Sequence, residues 1–113
     1  MKQLTLLEKQ QLFSYNVGKL LVYAYEVLNI KITLGEAYRT IYQQQKYLAE
    51  GKTKTLNSKH LYKLAIDLNV FINGQINLDK NAYKELALYW KSLHENNDCG
   101  YFWGWDYNHF EMK

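Results

Sequence analysis

The run Leu64-Ala-Ile-Asp-Leu-Asn-Val-Phe-Ile72, closed by Asn73-Gly74 and followed by Gln75-Ile-Asn-Leu78, constrains the chain more than any other segment. It is rich in strand formers, and Asn-Gly supplies the two left-handed positions that a two-residue hairpin turn requires. Two antiparallel strands are expected there. Ile30-Lys-Ile-Thr-Leu34 alternates apolar and polar residues over a shorter stretch, as a half-buried strand does, and Gly35 ends it. A last strand is expected around Tyr107 to Met112.

Helical periodicity occupies the segments between. Thr5 and Glu8 stand at capping-box spacing, and Leu6, Phe13, Val17, Leu20, Leu21, Ala24, Val27 and Leu28 recur on one face, which predicts a helix from about Leu6 to Leu28. Thr40 to Glu50 reads as a second helix that stops at Gly51. Asp79 is placed to cap a third, in which Tyr83, Leu86, Ala87, Trp90 and Leu93 share a face and which ends near Asn96-Asn97. The segment Gly51 to Lys59 is polar and aperiodic, so an exposed loop is expected. The fold class is α+β, with helices packed on a small antiparallel sheet, and residues 1–113 are expected to form a single domain.

Composition narrows the function classes. At 48% hydrophobic residues the chain is too apolar for disorder, and its 14 Lys and Arg against 11 Asp and Glu leave a formal charge of +3 with no run of five like charges. Nucleic acid is therefore not an expected partner. The mild positive charge suits encounter with an anionic polymer such as bacterial cell wall. The stretch MKQLTLLEKQQLF breaks its apolar residues with charges and glutamines, so no signal peptide is expected, and no apolar stretch approaches a membrane span. A protein made in the cytosol, not inserted in the membrane, is the expectation. The single cysteine, Cys99, excludes an internal disulfide and a four-cysteine zinc knuckle, so any metal must be held by His and carboxylate.

Two of the three histidines stand in carboxylate-rich surroundings: Ser58-Lys-His60 with Asp67 seven residues on, and Asp106-Tyr-Asn-His109-Phe-Glu111. A catalytic zinc uses three such ligands and an open position. From spacing alone, a His and an Asp seven apart are more often unrelated surface side chains than ligands. Asp106, three residues before His109, could lie beside an activated water without being a ligand. Arg39, the one arginine, reads either as a surface ion pair or as a stabiliser of developing negative charge. Trp103 and Trp105 read as packing or as substrate platforms, and Glu111 as an orienter of a ligand histidine or as a solvent-facing group. His94, near the end of the third helix, suits the helix dipole as a cation, and Cys99 reads as a small buried residue.

The run from Gly35 to Gly74, with Asp106-Tyr-Asn-His-Phe-Glu-Met112 near the end, resembles the VanY-like D-Ala-D-Ala carboxypeptidase and L-alanyl-D-glutamate endopeptidase family of zinc peptidases, most of all its short phage-encoded members. The family's Ser-x-His-x6-Asp motif is matched by Ser58, His60 and Asp67, and its Asp/Glu-x-x-His motif by Asp106 and His109. Tyr38-Arg39-Thr40 with the glutamines after it also corresponds. The resemblance implies His60, Asp67 and His109 as ligands of one zinc ion, Asp106 as catalytic base and Arg39 as electrostatic stabiliser. Ser58, Gln44, Glu111 and Trp105 are then expected at the substrate or behind the ligands. Lys63 stands where many members have glycine, and Gly100 to Trp105 is shorter than the family's usual loop, which bears on the shape of the substrate groove.

The resemblance thus implies an endolysin-type peptidase cutting the L-Ala-D-Glu bond of the peptidoglycan stem peptide. It is expected to be a monomer that stays cytoplasmic until another protein permeabilises the membrane. A D-Ala-D-Ala carboxypeptidase is the alternative with the same mechanism, and a non-catalytic virion or wall-binding protein of the same fold is the alternative from another class.

Overall fold

The N-terminal capping box is made. In the computed structural model, which describes residues 3–113, the Thr5 hydroxyl accepts from the Glu8 N–H and the Glu8 carboxylate accepts from the Thr5 N–H, each at 3.1 Å. Residues 1 and 2, the start of the stretch in which no signal peptide is expected, lie outside the described residues. Helix α1 spans Leu6–Glu26 and stops short of the expected Leu28, because the Leu28 N–H reaches back five residues to the Tyr23 carbonyl and Asn29 takes a left-handed φ of 53°. The hairpin also forms as the sequence suggests. Asn73 and Gly74 adopt φ values of 54° and 78° between β2 (Ala65–Ile72) and β3 (Gln75–Ile76). Strand β3 ends two residues early: the Asn77 N–H still donates to the Val70 carbonyl at 2.8 Å, but its side chain accepts from the Asp79 N–H at 2.9 Å and turns the chain toward the next helix. Asp79 stands at the N-cap of α3 (Lys80–Leu93), but its own carboxylate makes no capping bond.

The third helix corrects the sequence reading at its other end. It stops at Leu93, and Asn97 opens an unanticipated strand, β4 (Asn97–Cys99), with its buried side-chain amide donating to the Trp90 carbonyl at 2.9 Å. His94 follows the last helical residue, and its Nδ1 accepts from the Asn96 N–H at 3.0 Å. A one-turn helix, α4 (Gly100–Trp103), then leads to β5 (His109–Met112). Helix α2 (Ile41–Ala49) forms where a second helix is expected and starts from a capping box of Thr40 and Gln43 that was not read from the sequence, and β1 (Lys31–Leu34) precedes it. The loop after Gly51 runs into a 3-10 turn, Lys59–Tyr62.

The strands form one antiparallel sheet in the order β1-β2-β5-β4, with β3 extending from β2. Alternation along β2 and β5 gives the sheet two unlike faces. Ile66, Leu68, Val70, Phe110 and Met112 turn to one side, where they join Phe13, Val17, Leu20 and Ala24 of α1 and Tyr83, Leu86, Ala87 and Trp90 of α3 in the core. Trp90 sits edge-on between Phe13 at 5.6 Å and Phe110 at 6.0 Å, and its indole N–H donates to the carbonyls of Asp98 and Glu111. Burying each such side chain is worth about 1.5–3 kcal/mol. That packing fixes β4 and β5 against α3, and with them everything carried on the opposite face.

Candidate active site

The opposite face carries the chemistry. Asp67 and His109 are direct cross-strand partners in the β2–β5 register, so their side chains leave the sheet on the same side, and Glu111, two residues on, follows them. His60 arrives from the 3-10 turn. That turn is held by the Ser58 hydroxyl, which accepts from the His60 N–H at 3.3 Å, and by the Arg39 N–H, which donates to the His60 carbonyl at 3.2 Å. His60 Nε2 and His109 Nδ1 each stand 3.4 Å from Asp67 Oδ1. One nitrogen or oxygen from each of the three residues lies within 4.8 Å of the others.

These separations suit a metal better than direct hydrogen bonds. Ligand atoms about 2.0–2.2 Å from a tetrahedral zinc lie roughly 3.3–3.5 Å from one another, whereas a charge-assisted hydrogen bond would close to about 2.7–2.9 Å. Two imidazoles and one carboxylate are a donor set that zinc accepts. The far nitrogen of His109 is already committed, with Nε2 lying 2.8 Å from Glu111 Oε1, so an N–H there donates outward and Nδ1 is the nitrogen that faces the site. His60 Nδ1 is buried and has no partner among the described residues.

The electrostatics follow from this crowding. Burial pushes the Asp67 carboxyl up, but the neighbouring His109 and His60 imidazoles outweigh it and hold it at about 2. Burial pulls the His109 imidazole down, while Asp67, Glu111 and Asp106 raise it to about 9. Asp106 shifts the other way from Asp67. Burial and the neighbouring Asp67 charge push its carboxyl up against the pull of His109, His60 and Arg39. A carboxylate with a raised pKa is a better proton acceptor. Asp106 lies in a turn with a left-handed φ of 55°, and its Oδ2 is 3.8 Å from His109 Nδ1. Gly100 makes that turn possible, since a Cβ at this position would meet the Asp106 carbonyl oxygen at 1.8 Å.

Arg39 is neither a loose surface group nor free to swing. Its Nε pairs with Glu36, its Nη1 donates to Gln44 Oε1 at 2.8 Å, and its guanidinium lies 4.8 Å from the Tyr47 ring centre. Gln44, fully buried, also donates to the Thr55 carbonyl at 2.7 Å and so ties the Gly51–Ser58 loop to the arginine. A cavity of about 780 Å³ opens over the cluster, and Arg39, Ser58, Trp103, Trp105 and Glu111 are among its walls. Trp105 is 65% exposed and belongs to the rim, whereas Trp103 stands 5.4 Å from the His109 ring. Each of the nine residues singled out in the sequence thus lines this cavity or touches a residue that does. Glu36, Tyr47 and Gly100 were missed. Glu36 had a legible signal, a carboxylate three residues before the lone arginine. Gly100 had none. Lys63, in place of glycine, adopts φ 57° at the end of the 3-10 turn with its ammonium 5.3 Å from the Tyr38 ring, outside the cavity wall.

Comparison with known proteins agrees with this fold. The structure is similar to the crystal structure of the Serratia marcescens L-Ala D-Glu endopeptidase ChiX, with a TM-score of 0.72 at 20% identity over 89% of this chain and 77% of that one. No curated relative matches the sequence. The family model for phage L-alanyl-D-glutamate peptidases matches residues 5–111, and the chain therefore belongs to that family, an enzyme that acts on peptidoglycan.

Proposed function

We propose that the protein is a zinc-dependent endopeptidase that hydrolyses the L-Ala-D-Glu bond of the peptidoglycan stem peptide, with His60, Asp67 and His109 as metal ligands. The observation that carries the metal assignment is the pair of 3.4 Å separations between Asp67 and the two imidazoles, with His109 oriented from behind by Glu111. Zinc bound there supplies Lewis acidity to the scissile carbonyl and makes the attacking water easier to deprotonate.

The chain's own residues do the rest. Asp106 accepts a proton from the attacking water as the new C–O bond forms, and returns it to the nitrogen of D-Glu as the C–N bond breaks. Arg39, held on three sides, faces the negative charge that develops on the carbonyl oxygen without having to reorganise. Ser58 keeps His60 in place, Gln44 keeps Arg39 and the loop in place, and Trp105 offers an apolar rim to the peptide. Every one of these residues comes from a single chain, so a monomer suffices and residues 1–113 act as one catalytic unit. Among the described residues no helix is long and apolar enough to cross a membrane, which is compatible with an enzyme stored in the cytoplasm and admitted to the wall by permeabilisation.

The test is incubation of purified protein with isolated peptidoglycan, with and without a chelator, followed by mass spectrometry of new termini. New N-terminal D-Glu that chelator abolishes and zinc restores is the expected result. Released D-Ala instead would transfer the site to carboxypeptidase chemistry. Zinc binding without cleavage of any wall type would favour a wall-binding role.

A further inference from the structure

The cavity walls hold four cations, and they are not equivalent. Arg39 is paired with Glu36, and Lys52 stands 3.5 Å from Glu50. Lys54 and Lys59 line the same cavity, and neither ammonium has a carboxylate partner among the described residues. Lys59 is half-buried, which makes an unpaired charge more costly to hold there than on open surface. Their backbone is not loose. The Thr53 and Thr55 hydroxyls accept from the N–H groups two residues on, buried Gln44 donates to the Thr55 carbonyl, and Lys59 opens the 3-10 turn. An ordered backbone thus carries two cations, Lys54 exposed and Lys59 half-buried, in the wall of the cavity that also holds Asp67, Asp106 and Glu111, and no carboxylate among the described residues pairs with either.

The substrate supplies what they lack. In a bond between alanine and glutamate, the glutamyl residue contributes the leaving nitrogen. It continues the chain through one carboxyl and leaves the other close to the scissile bond. That second carboxyl is either a free anion or a carboxamide. A cleft with unpaired cations binds the first better than the second, and field focusing by the cavity walls sharpens the difference. We propose that Lys54 and Lys59 form a carboxylate-reading subsite that selects wall peptides whose glutamyl residue keeps its second carboxyl free over those in which it is amidated. The inference rests on the peptidase reading and adds a substrate class to it.

The test uses the full chain loaded with zinc and two synthetic stem peptides that differ only in carboxylate against carboxamide at the glutamyl residue. Loss of one partly exposed charge contact corresponds to about three- to tenfold in KM. The native protein is expected to favour the free carboxylate by about tenfold or more in kcat/KM, mostly through KM. In the Lys54→Gln, Lys59→Gln double variant that ratio should fall towards one. Lys54→Arg with Lys59→Arg should restore it, and Lys19→Gln on the far face of α1 should leave it unchanged. If the double variant does not fold, the two single variants are read by the same ratio. Equal cleavage of both peptides by the native protein, or an undiminished ratio in the variants, would overturn the subsite alone. Cleavage of neither peptide would overturn the peptidase reading and the subsite with it.

Discussion

Glu111→Ala isolates the contribution of a residue that touches neither substrate nor metal in the proposed mechanism. Its carboxylate lies 2.8 Å from His109 Nε2, and the two side chains are only 13% and 9% exposed. Hydrogen bonds to a charged group in such surroundings contribute about 1.5–3 kcal/mol. That range corresponds to about a 10- to 100-fold loss of zinc affinity, the size expected when a partner behind a ligand histidine is removed. Glu111→Gln keeps an acceptor oxygen but loses the charge, so a smaller loss of about three- to tenfold is expected. The side chain can be changed without disturbing the core, because Trp90 bonds to the Glu111 backbone carbonyl. Competition with a chromogenic chelator gives the zinc dissociation constant directly. In the metal-free protein, NMR titration should find the His109 imidazole below its native value of about 9, since Glu111 is one of the groups that raise it. Unchanged zinc affinity together with an unchanged His109 titration would refute the orienting role.

Three further outcomes are expected from the site's geometry. Asp106→Asn should keep zinc affinity within a few-fold and lose about 10²–10⁴ in turnover, whereas His60→Ala should lose zinc and turnover together; full activity in the Asp106 variant would refute the base. Gly100→Ala forces a Cβ to within 1.8 Å of the Asp106 carbonyl oxygen, so the turn must move; turnover on peptidoglycan should fall about 100-fold, with the circular dichroism of α1 and α3 retained. Because His109 is raised to about 9, the metal-free imidazole is protonated at neutral pH and zinc must displace that proton. Apparent zinc affinity should then rise about tenfold per pH unit up to about pH 9, and calorimetry in buffers of different ionisation enthalpy should record about one proton released at neutral pH.

The parts of the fold legible in the sequence are those set by local chemistry. The Thr5 cap, the Asn73-Gly74 turn and the apolar stripe of α3 each depend on residues a few positions apart. Strand β4 was not legible, because Asn97 and Asp98 have no strand propensity. Asn97 sits there because its side chain satisfies the Trp90 carbonyl, a contact with a helix that the local sequence does not announce. The early end of α3 has the same cause. The proposed ligand set could be read only through motif resemblance, since spacing says nothing about which strands pair. Once β2 and β5 pair with Asp67 opposite His109, strand alternation alone puts Glu111 on the site face and Phe110 in the core.

What the sequence did not show is how the site is held: Glu36 and Tyr47, which fix Arg39, and the small Gly100 were missed. Gly100 matters for the Cβ it lacks, and Gln44, although expected at the site, gave no sign that it would be fully buried and bonded to Arg39 and the loop at once. Asp106 combines both kinds of information. Its carboxylate is motif, but its φ of 55° is tertiary, and a left-handed conformation costs most residues roughly 1–2 kcal/mol while Asp and Asn bear it more readily. Asp106→Asn therefore removes the proposed proton acceptor and keeps the turn, whereas Asp106→Ala removes that acceptor and strains the backbone as well. If the two variants lose turnover equally, the carboxylate alone accounts for the loss. If Ala loses substantially more, part of what Asp106 contributes is the turn that aims it.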